Sequence, residues 1–278
     1  MAFESMWAHI LRAVISFGMG SDSLPLGELP PGVQWDSTGQ YRYVLEHDGK
    51  KYPFNLMDPG QSPENIRAQV VQGYKIFTDT PTNAPEFVGN GLTCNNCHFV
   101  GGNTLGGLNG GISLVGVTST YPRYIKRFDR EITIEERIQS CFLRSLNGKA
   151  PPVDSTVMQT VVAYLKWISS EADPLPIKPW LGLKALPEGI KGNKVQGATD
   201  YWNKCASCHR PDGQGTTGVP AVWGDQSFND SAGMHSVPTM ASFIKANMPH
   251  GNPILTDQQA MNIAEFISEK LRPHFKEK

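Results

Sequence analysis

The chain has 278 residues, of which 39% are apolar and 18% charged, with a net charge of −1. This composition is typical of a globular protein and excludes binding to nucleic acid through a strong overall positive charge. The 28 glycines and 21 prolines predict long, turn-rich connections between regular elements. No apolar run reaches the length of a membrane span, so we expect no transmembrane segment.

Residues 1–20 form the most apolar stretch. Glu4 and Arg12 interrupt it, so it is a poor secretion-signal core, and its polar face is not basic. We expect an amphipathic helix docked on the body, because its apolar side chains share one helical stripe: Phe3, Trp7, Ile10, Leu11, Val14 and Ile15. Residues 21–60 are rich in Pro, Gly and Asp and predict an extended arm, with a possible small hairpin near residues 41–45.

Helix signals follow in the next hundred residues. Pro63 and Glu64 mark a helix start at Ser62, with an apolar stripe of Ile66, Val70, Tyr74 and Phe77. The capping box Thr133-x-x-Glu136 predicts a helix over residues 134–146, which Asn147-Gly148 ends. Another helix follows Asp154 as its N-cap, with an inner face of Val157, Val161, Tyr164, Leu165 and Ile168.

Four prolines within residues 171–190 predict a stiff, extended linker. After it, helices are expected over residues 195–204 and 240–247. A last helix begins with the capping box Thr256-x-x-Gln259 and turns inward Ala260, Ile263, Phe266 and Ile267.

The pattern Cys-x-x-Cys-His occurs twice, at residues 94–98 and 205–209. A Cys-x-x-Cys pair alone could be a redox dithiol or half of a zinc site. The histidine favours covalent haem c, in which two cysteines form thioethers and the histidine ligates iron. We therefore expect two haem c groups, attached at the cysteine pairs Cys94, Cys97 and Cys205, Cys208, with His98 and His209 as iron ligands. A four-cysteine zinc site would require both pairs to converge.

The layout of helix, motif, loop and helices occurs twice and resembles the class I cytochrome c fold. The predicted fold is therefore all-α, with a haem domain over residues 61–172, a linker over 173–190 and a second haem domain over 191–278. Residues 1–60 add the N-terminal helix and arm. Because haem of this type is attached outside the bacterial cytoplasm, we expect a periplasmic protein.

A second axial ligand is needed at each iron. In the second domain Met248 is favoured over Met234 and Met240, because a Met-Pro turn before the last helix is typical of cytochromes c. Lys245 and His250 are alternatives. Met240 fits a core position, since it lies in an apolar helical stretch.

The first domain has Met158 only, on a helix face away from the predicted apolar stripe. Its other candidate ligand is Cys141, the cysteine left over from five. Arg137 and Arg144 lie on the same helical face, and cationic neighbours favour a thiolate. Cys141 as a small buried apolar residue is the plain alternative, and the arginines could instead pair with haem propionates.

Over roughly residues 60–275 the chain resembles the dihaem thiosulfate dehydrogenases, which join two thiosulfates into tetrathionate. The telling segments are Tyr121-Pro122-Arg123-Tyr124 and Arg137-Ile138-x-x-Cys141-Phe142-x-Arg144-Ser145-x-Asn147-Gly148. The resemblance implies that Cys141 ligates the catalytic haem and that Arg127 and Arg137 hold the anionic substrates. Some members carry a lysine beside the second haem's methionine as an alternative ligand, whereas Asn247 precedes Met248 here.

The hypothesis is that the first haem is the oxidation site and passes electrons to the second haem and then to an external acceptor, such as another cytochrome. Cys141 would leave the iron transiently and carry a sulfur adduct, and the reverse reaction would be tetrathionate reduction. The alternatives are an electron shuttle without sulfur chemistry, a persulfide-transfer cytochrome and, less favoured, a dihaem peroxidase.

Overall fold

The computed structural model describes residues 29–276. The helix predicted for residues 1–20 lies outside this range. Within it the chain forms two helical units, each containing one Cys-x-x-Cys-His motif, and two small antiparallel sheets. The all-α prediction is therefore confirmed only for the helical units, and the sheets are a correction to it. The division into two domains stays a prediction.

A three-stranded sheet replaces most of the predicted extended arm. Its strands are β1 (Val33–Trp35), β2 (Tyr43–His47) and β3 (Lys50–Phe54), in the order β1-β2-β3. Asp48 and Gly49, which join β2 to β3, both have positive φ, of 50° and 70°. The small hairpin predicted near residues 41–45 is therefore confirmed, and Asp-Gly, a strong signal for such a two-residue turn, is what places its bend.

In the first unit, α1 (Glu64–Thr78) crosses α4 (Thr156–Ser169) at very close range. The crossing point is Gly73, where an added Cβ would lie 2.1 Å from the carbonyl oxygen of Thr160. The short helix α2 (Thr80–Asn83) follows α1 and leads towards the first motif. The stripe predicted for α1 is buried at Val70, Tyr74 and Phe77, while Ile66 is half-buried.

Between the first motif and α4 lie a hairpin of β4 (Arg123–Ile125) and β5 (Arg130–Ile132), then α3 (Ile134–Arg144). Both hydrogen bonds of the predicted capping box at Thr133 are present. Asn147 has a φ of 49° and follows the helix end, as the Asn-Gly signal predicted. The N-cap prediction for α4 was wrong, because Ser155 rather than Asp154 accepts the bond from the Met158 N–H.

Met158 lies in the core and is 1% exposed. Its assignment to a face away from the apolar stripe was therefore wrong, because Met158 lies three residues before Val161 and seven before Leu165 and shares their side of the helix.

Part of the predicted linker packs on the first unit and is not a free spacer. Trp180 is 3% exposed, and its ring stacks on Phe54 with centroids 5.1 Å apart. Its Nε1 donates to the carbonyl oxygen of Val115 at 2.8 Å. This segment and the three-stranded sheet share a second hydrophobic cluster. The buried indole of Trp180 and its hydrogen bond fix the position of this otherwise irregular segment.

The second unit repeats the close helix crossing. Its helices are α5 (Lys194–Lys204), α6 (Ala206–His209), α7 (Val237–Asn247) and α8 (Asp257–Ser268). An added Cβ on Gly197 of α5 would lie 1.9 Å from the carbonyl oxygen of Asn262 on α8. The capping box predicted at Thr256 has both its bonds.

The two units share one hydrophobic cluster, which contains buried side chains from α1, α3 and α4 and from α5, α7 and α8. Asn90, between α2 and the first motif, joins them through its Nδ2, which donates to the carbonyl oxygens of Ser145 and Ser227. Along residues 29–276 no helix is both long and apolar enough to cross a bilayer.

We predict that Gly73→Ala lowers the free energy of unfolding by about 1–3 kcal/mol, since the added methyl meets backbone that cannot move aside. This loss outweighs the gain of about 1 kcal/mol in helix propensity. Gly233→Ala is the control, because a Cβ there meets nothing within 4 Å. Denaturant unfolding followed by circular dichroism checks both, and an unchanged midpoint for Gly73→Ala would contradict the close crossing.

Candidate functional site

The first motif begins in a 3-10 turn, Cys94–Asn96, that is fixed at both ends. Thr93 and Asn96 form a reciprocal capping box, in which the Thr93 N–H donates to the Asn96 side-chain oxygen at 2.7 Å. The Cys94 N–H donates to the hydroxyl of Thr80, which is fully buried. The turn therefore holds both cysteine side chains on one rigid piece of backbone.

The imidazole of His98 is oriented by the glycine-rich loop that follows the motif. Its Nδ1 donates to the carbonyl oxygen of Ile112 at 2.8 Å, which leaves Nε2 as the atom available to a metal. Burial, with a smaller contribution from the charge of Arg137, lowers the pKa of His98 to about 4, although the hydrogen bond to Ile112 opposes this shift. The ring is thus neutral at pH 7, the form that ligates iron.

The second motif has the same construction. The short helix α6 leads to His209, whose Nδ1 donates to the carbonyl oxygen of Pro220 at 2.9 Å. Burial lowers the pKa of His209. Cys205 is half-buried and Cys208 is exposed, so this motif reaches the protein surface.

The residues of both motifs fit haem c. Burial raises the pKa values of Cys94, Cys97 and Cys205 to about 12, so these side chains are neutral at pH 7. None of the five cysteines is paired in a disulfide. The zinc alternative fails for the described part of the chain, where no three His, Cys, Asp or Glu side chains come together as a metal site.

Cys141 lies half-buried on α3, facing the first motif. Its charge contributes to raising the pKa values of Cys94 and Cys97, after the larger effect of burial, so the three sulfurs lie within electrostatic reach of one another. The Nη1 of Arg137 donates to the Cys141 sulfur at 2.9 Å. The fold thus brings Cys141 and Arg137 together beside the first motif.

Arg137 is half-buried, and its pKa is raised, so its guanidinium is positively charged. The charge of Cys141 raises the pKa of Arg137, and the side chain of Tyr121 adds to this through its charge and a hydrogen bond. Tyr121 is a site residue to which the sequence reading gave no role, although it lies in the segment that carried the family resemblance.

The other two arginines are placed differently. Arg127 is exposed in the turn between β4 and β5. Arg144 is 8% exposed, and its guanidinium bonds to Ser140 and Ser231 and lies 4.5 Å from the ring centroid of Phe275. Its guanidinium thus engages partners both on α3 and in the second unit.

Met248 caps the C-terminal end of α7 and packs, half-buried, against the shared core. Met240 is 3% exposed, which confirms its expected core position. The Nζ of Lys245 donates to the carbonyl oxygen of Leu255 at 2.6 Å and is therefore engaged elsewhere. His250 packs edge-on against Phe99 of the first unit, with centroids 5.2 Å apart.

We predict that Thr80→Val destabilises the protein by about 1–3 kcal/mol, because the buried Cys94 N–H loses its acceptor. Thr160→Val is the matched control: this hydroxyl only donates to carbonyl oxygens within its own helix. Denaturant unfolding of both variants is the measurement, and equal losses would contradict a special role for Thr80.

Comparison with known proteins places this geometry in a family. The cytochrome c family model matches residues 195–270, which include the second motif and Met248. Thiosulfate dehydrogenase of Allochromatium vinosum is 37% identical over 220 residues, covering 75% of this chain and 80% of the relative. Thiosulfate dehydrogenase of Psychrobacter arcticus is 38% identical over 232 residues, covering 80% and 69%.

A solved structure is also similar, that of thiosulfate dehydrogenase (TsdBA) from Marichromatium purpuratum in its as-isolated form. It superposes with a TM-score of 0.68 at 31% identity, over 74% of this chain and 46% of that chain. Together with the motifs, these matches establish covalent haem c in this chain. The chain belongs to the thiosulfate dehydrogenase family, whose members are c-type cytochromes and oxidoreductases.

Proposed function

We propose that this protein oxidises two thiosulfates to tetrathionate at the first motif and passes the electrons through the second motif to an external acceptor. The observation that carries the proposal is the 2.9 Å contact between the Arg137 guanidinium and the Cys141 sulfur beside His98. An electron shuttle has no need of a nucleophilic sulfur paired with a cation, so this contact favours sulfur chemistry.

Two haem c groups are part of the proposal. Cys94 and Cys97 would attach the first, with His98 and Cys141 as axial ligands. The second would be attached at Cys205 and Cys208, with His209 and Met248 as axial ligands. Haem iron accepts one electron at a time, and the axial ligands set its potential. The sites would differ, because methionine raises the potential whereas a thiolate donates electron density.

Cys141 is the proposed nucleophile. Its thiolate and one thiosulfate would form Cys–S–S–SO₃⁻ and release two electrons. A second thiosulfate would then attack the Cys141-bound sulfur, forming tetrathionate and returning the thiolate. In total, two thiosulfates lose two electrons and one S–S bond forms. Arg137 holds the Cys141 sulfur in place through its hydrogen bond in both steps.

The electrostatic problem is the approach of two dianions. With their charges about 4 Å apart in water, two dianions repel by about 4 kcal/mol, four times the energy of unit charges. A guanidinium has five N–H donors, so the bonds of Arg137 to Cys141 and Tyr121 leave donors for sulfonate oxygens. Arg127, which is exposed in the turn between β4 and β5, would attract the second thiosulfate from solvent.

The proposed location is the periplasm, where haem of this type is attached, and the proposed acceptor is another cytochrome. The same residues serve the reverse reaction, in which tetrathionate is cleaved by Cys141 and two electrons enter. The potentials of the two haems set the direction.

We predict that Cys141→Ala and Cys141→Met both reduce tetrathionate formation by several orders of magnitude, since neither supplies a thiolate. The assay follows thiosulfate-dependent reduction of ferricyanide. Cys141→Met restores a sulfur ligand without a nucleophilic thiolate, so it distinguishes loss of ligation from loss of nucleophilic attack. Electron paramagnetic resonance should report loss of the thiolate signal in both variants. Undiminished turnover in Cys141→Met would exclude Cys141 as the nucleophile, and wild type without thiosulfate-dependent reduction would favour the shuttle.

For the cation, we predict that Arg137→Gln lowers kcat/KM for thiosulfate by about 10- to 150-fold, the equivalent of losing a charged hydrogen bond worth about 1.5–3 kcal/mol. Arg130→Gln is the control, because Arg130 is exposed and pairs with Glu136. Steady-state kinetics at constant ionic strength is the measurement. Equal effects in the two variants would show that general surface charge, and not Arg137, governs binding.

A further inference from the structure

Residues 109–112 of the glycine-rich loop, here termed the bridge segment, are hydrogen-bonded to both units. On the side of the first unit, the Ile112 N–H donates to the carbonyl oxygen of Cys97 at 2.9 Å. The Ile112 carbonyl oxygen accepts the bond from His98 Nδ1 at 2.8 Å. One end of the bridge segment therefore sets the orientation of the first histidine ligand.

On the side of the second unit, the bridge segment binds Asn247, the last residue of α7 and the direct neighbour of Met248. The Gly111 N–H donates to the Asn247 Oδ1 at 2.8 Å. The Asn247 Nδ2 donates to the carbonyl oxygen of Phe243 at 3.0 Å. Asn247 is 0% exposed, so both ends of its amide are used and neither can exchange its partner for water.

Asn109 anchors both sides of the turn that carries Met248. Its N–H donates to the carbonyl oxygen of Ala246 at 3.1 Å, before the turn. Its Oδ1 accepts from the Gly251 N–H at 3.0 Å, after the turn. Met248 therefore lies between Ala246 and Gly251, which are both hydrogen-bonded to Asn109 of the bridge segment.

The bridge segment has little room to move. Gly111 has a φ of +65°, and an added Cβ would lie 2.7 Å from the Phe99 nitrogen. The ring of Phe99, the residue after His98, packs edge-on against Phe243 and His250, which flank Met248. A shift at one end of so tightly packed a segment must displace the other end.

We propose that the bridge segment and Asn247 form a coupling element that positions the histidine ligand of the first haem and the methionine ligand of the second together. Asn247 is a positioning residue in this scheme. The inference rests on the axial ligands assigned under the proposed function. Its consequence is that a change at Asn247 alters both haem potentials, although Asn247 belongs to the second unit alone.

The directions follow from ligand chemistry. Loss of the Gly111–Asn247 bond frees the turn, weakens ligation by Met248 and lowers the second potential, since methionine ligation raises it. The same loss loosens Ile112 against His98. A weaker hydrogen bond makes imidazole a less basic ligand, which favours ferrous iron and raises the first potential. The two potentials should move in opposite directions.

The experiment uses the full haem-loaded protein and three variants. Asn247→Ala removes the acceptor, and Asn247→Leu removes it while keeping the side-chain volume. Asn229→Ala is the matched control, because Asn229 is 1% exposed and its side-chain Nδ2 joins the two units by donating to the Leu143 carbonyl oxygen and the Asn147 Oδ1, away from the bridge segment. Spectroelectrochemistry without thiosulfate gives both potentials, and hydrogen exchange reports the Gly111 amide.

Both Asn247 variants are expected to lower the second potential, raise the first and accelerate exchange at Gly111, while Asn229→Ala leaves the second potential unchanged. A shift confined to the second haem, no shift at either haem, or an equal shift in Asn229→Ala would overturn the coupling. Because thiosulfate is absent, failure of the proposed sulfur chemistry leaves these potentials measurable. Loss of the methionine-ligation absorption band in Met248→Ala checks the ligand assignment separately.

Discussion

A hydrogen bond from a histidine ring to a backbone carbonyl holds each motif in its working form. In both units the loop after the motif returns to place that carbonyl, at Ile112 for His98 and at Pro220 for His209. Each loop can reach the ring because the helix before the motif is anchored at a glycine crossing, Gly73 or Gly197. In each unit the helix, the motif and the loop thus follow one another so that the loop binds Nδ1 of the histidine and leaves Nε2 available to a metal.

The two motifs are alike in this backbone frame and differ in what lies beside them. At the first, α3 presents Cys141 with the Arg137 guanidinium 2.9 Å from its sulfur. Cys141 also lies close enough to the motif to raise the pKa values of Cys94 and Cys97. At the second, the proposed ligand is the thioether of Met248, a neutral and weak acceptor. The difference supports sulfur chemistry at one site and electron transfer at the other.

The units are joined by more than proximity. A shared hydrophobic cluster, the buried amides of Asn90, Asn229 and Asn247, and the Arg144 guanidinium all lie between them. Buried amides whose polar atoms are satisfied fix relative positions, since each displaced bond would leave an orphaned group. Such an interface suits the proposed transfer of electrons between two fixed centres.

The sequence by itself determined the features that depend on near neighbours in the chain. These are the haem-attachment motifs, the capping boxes at Thr133 and Thr256, the helix stop at Asn147 and the apolar stripes of the main helices. Capping and periodicity act over a few residues, so they can be read locally. The small hairpin near residues 41–45 was predicted without its Asp48-Gly49 turn, and the N-cap of α4 was displaced by one residue.

Tertiary structure decided which side chains meet. Helical periodicity put Arg144 and Arg137 on one face with Cys141, but Arg144 turns to Ser231 and Phe275, more than eighty residues later in the sequence. Trp180 fixes a segment that composition predicted to be a spacer. The contact of Gly111 with Asn247 also joins distant parts of the chain. Such partners are chosen by burial and hydrogen-bond satisfaction in the folded protein, and no local pattern encodes them.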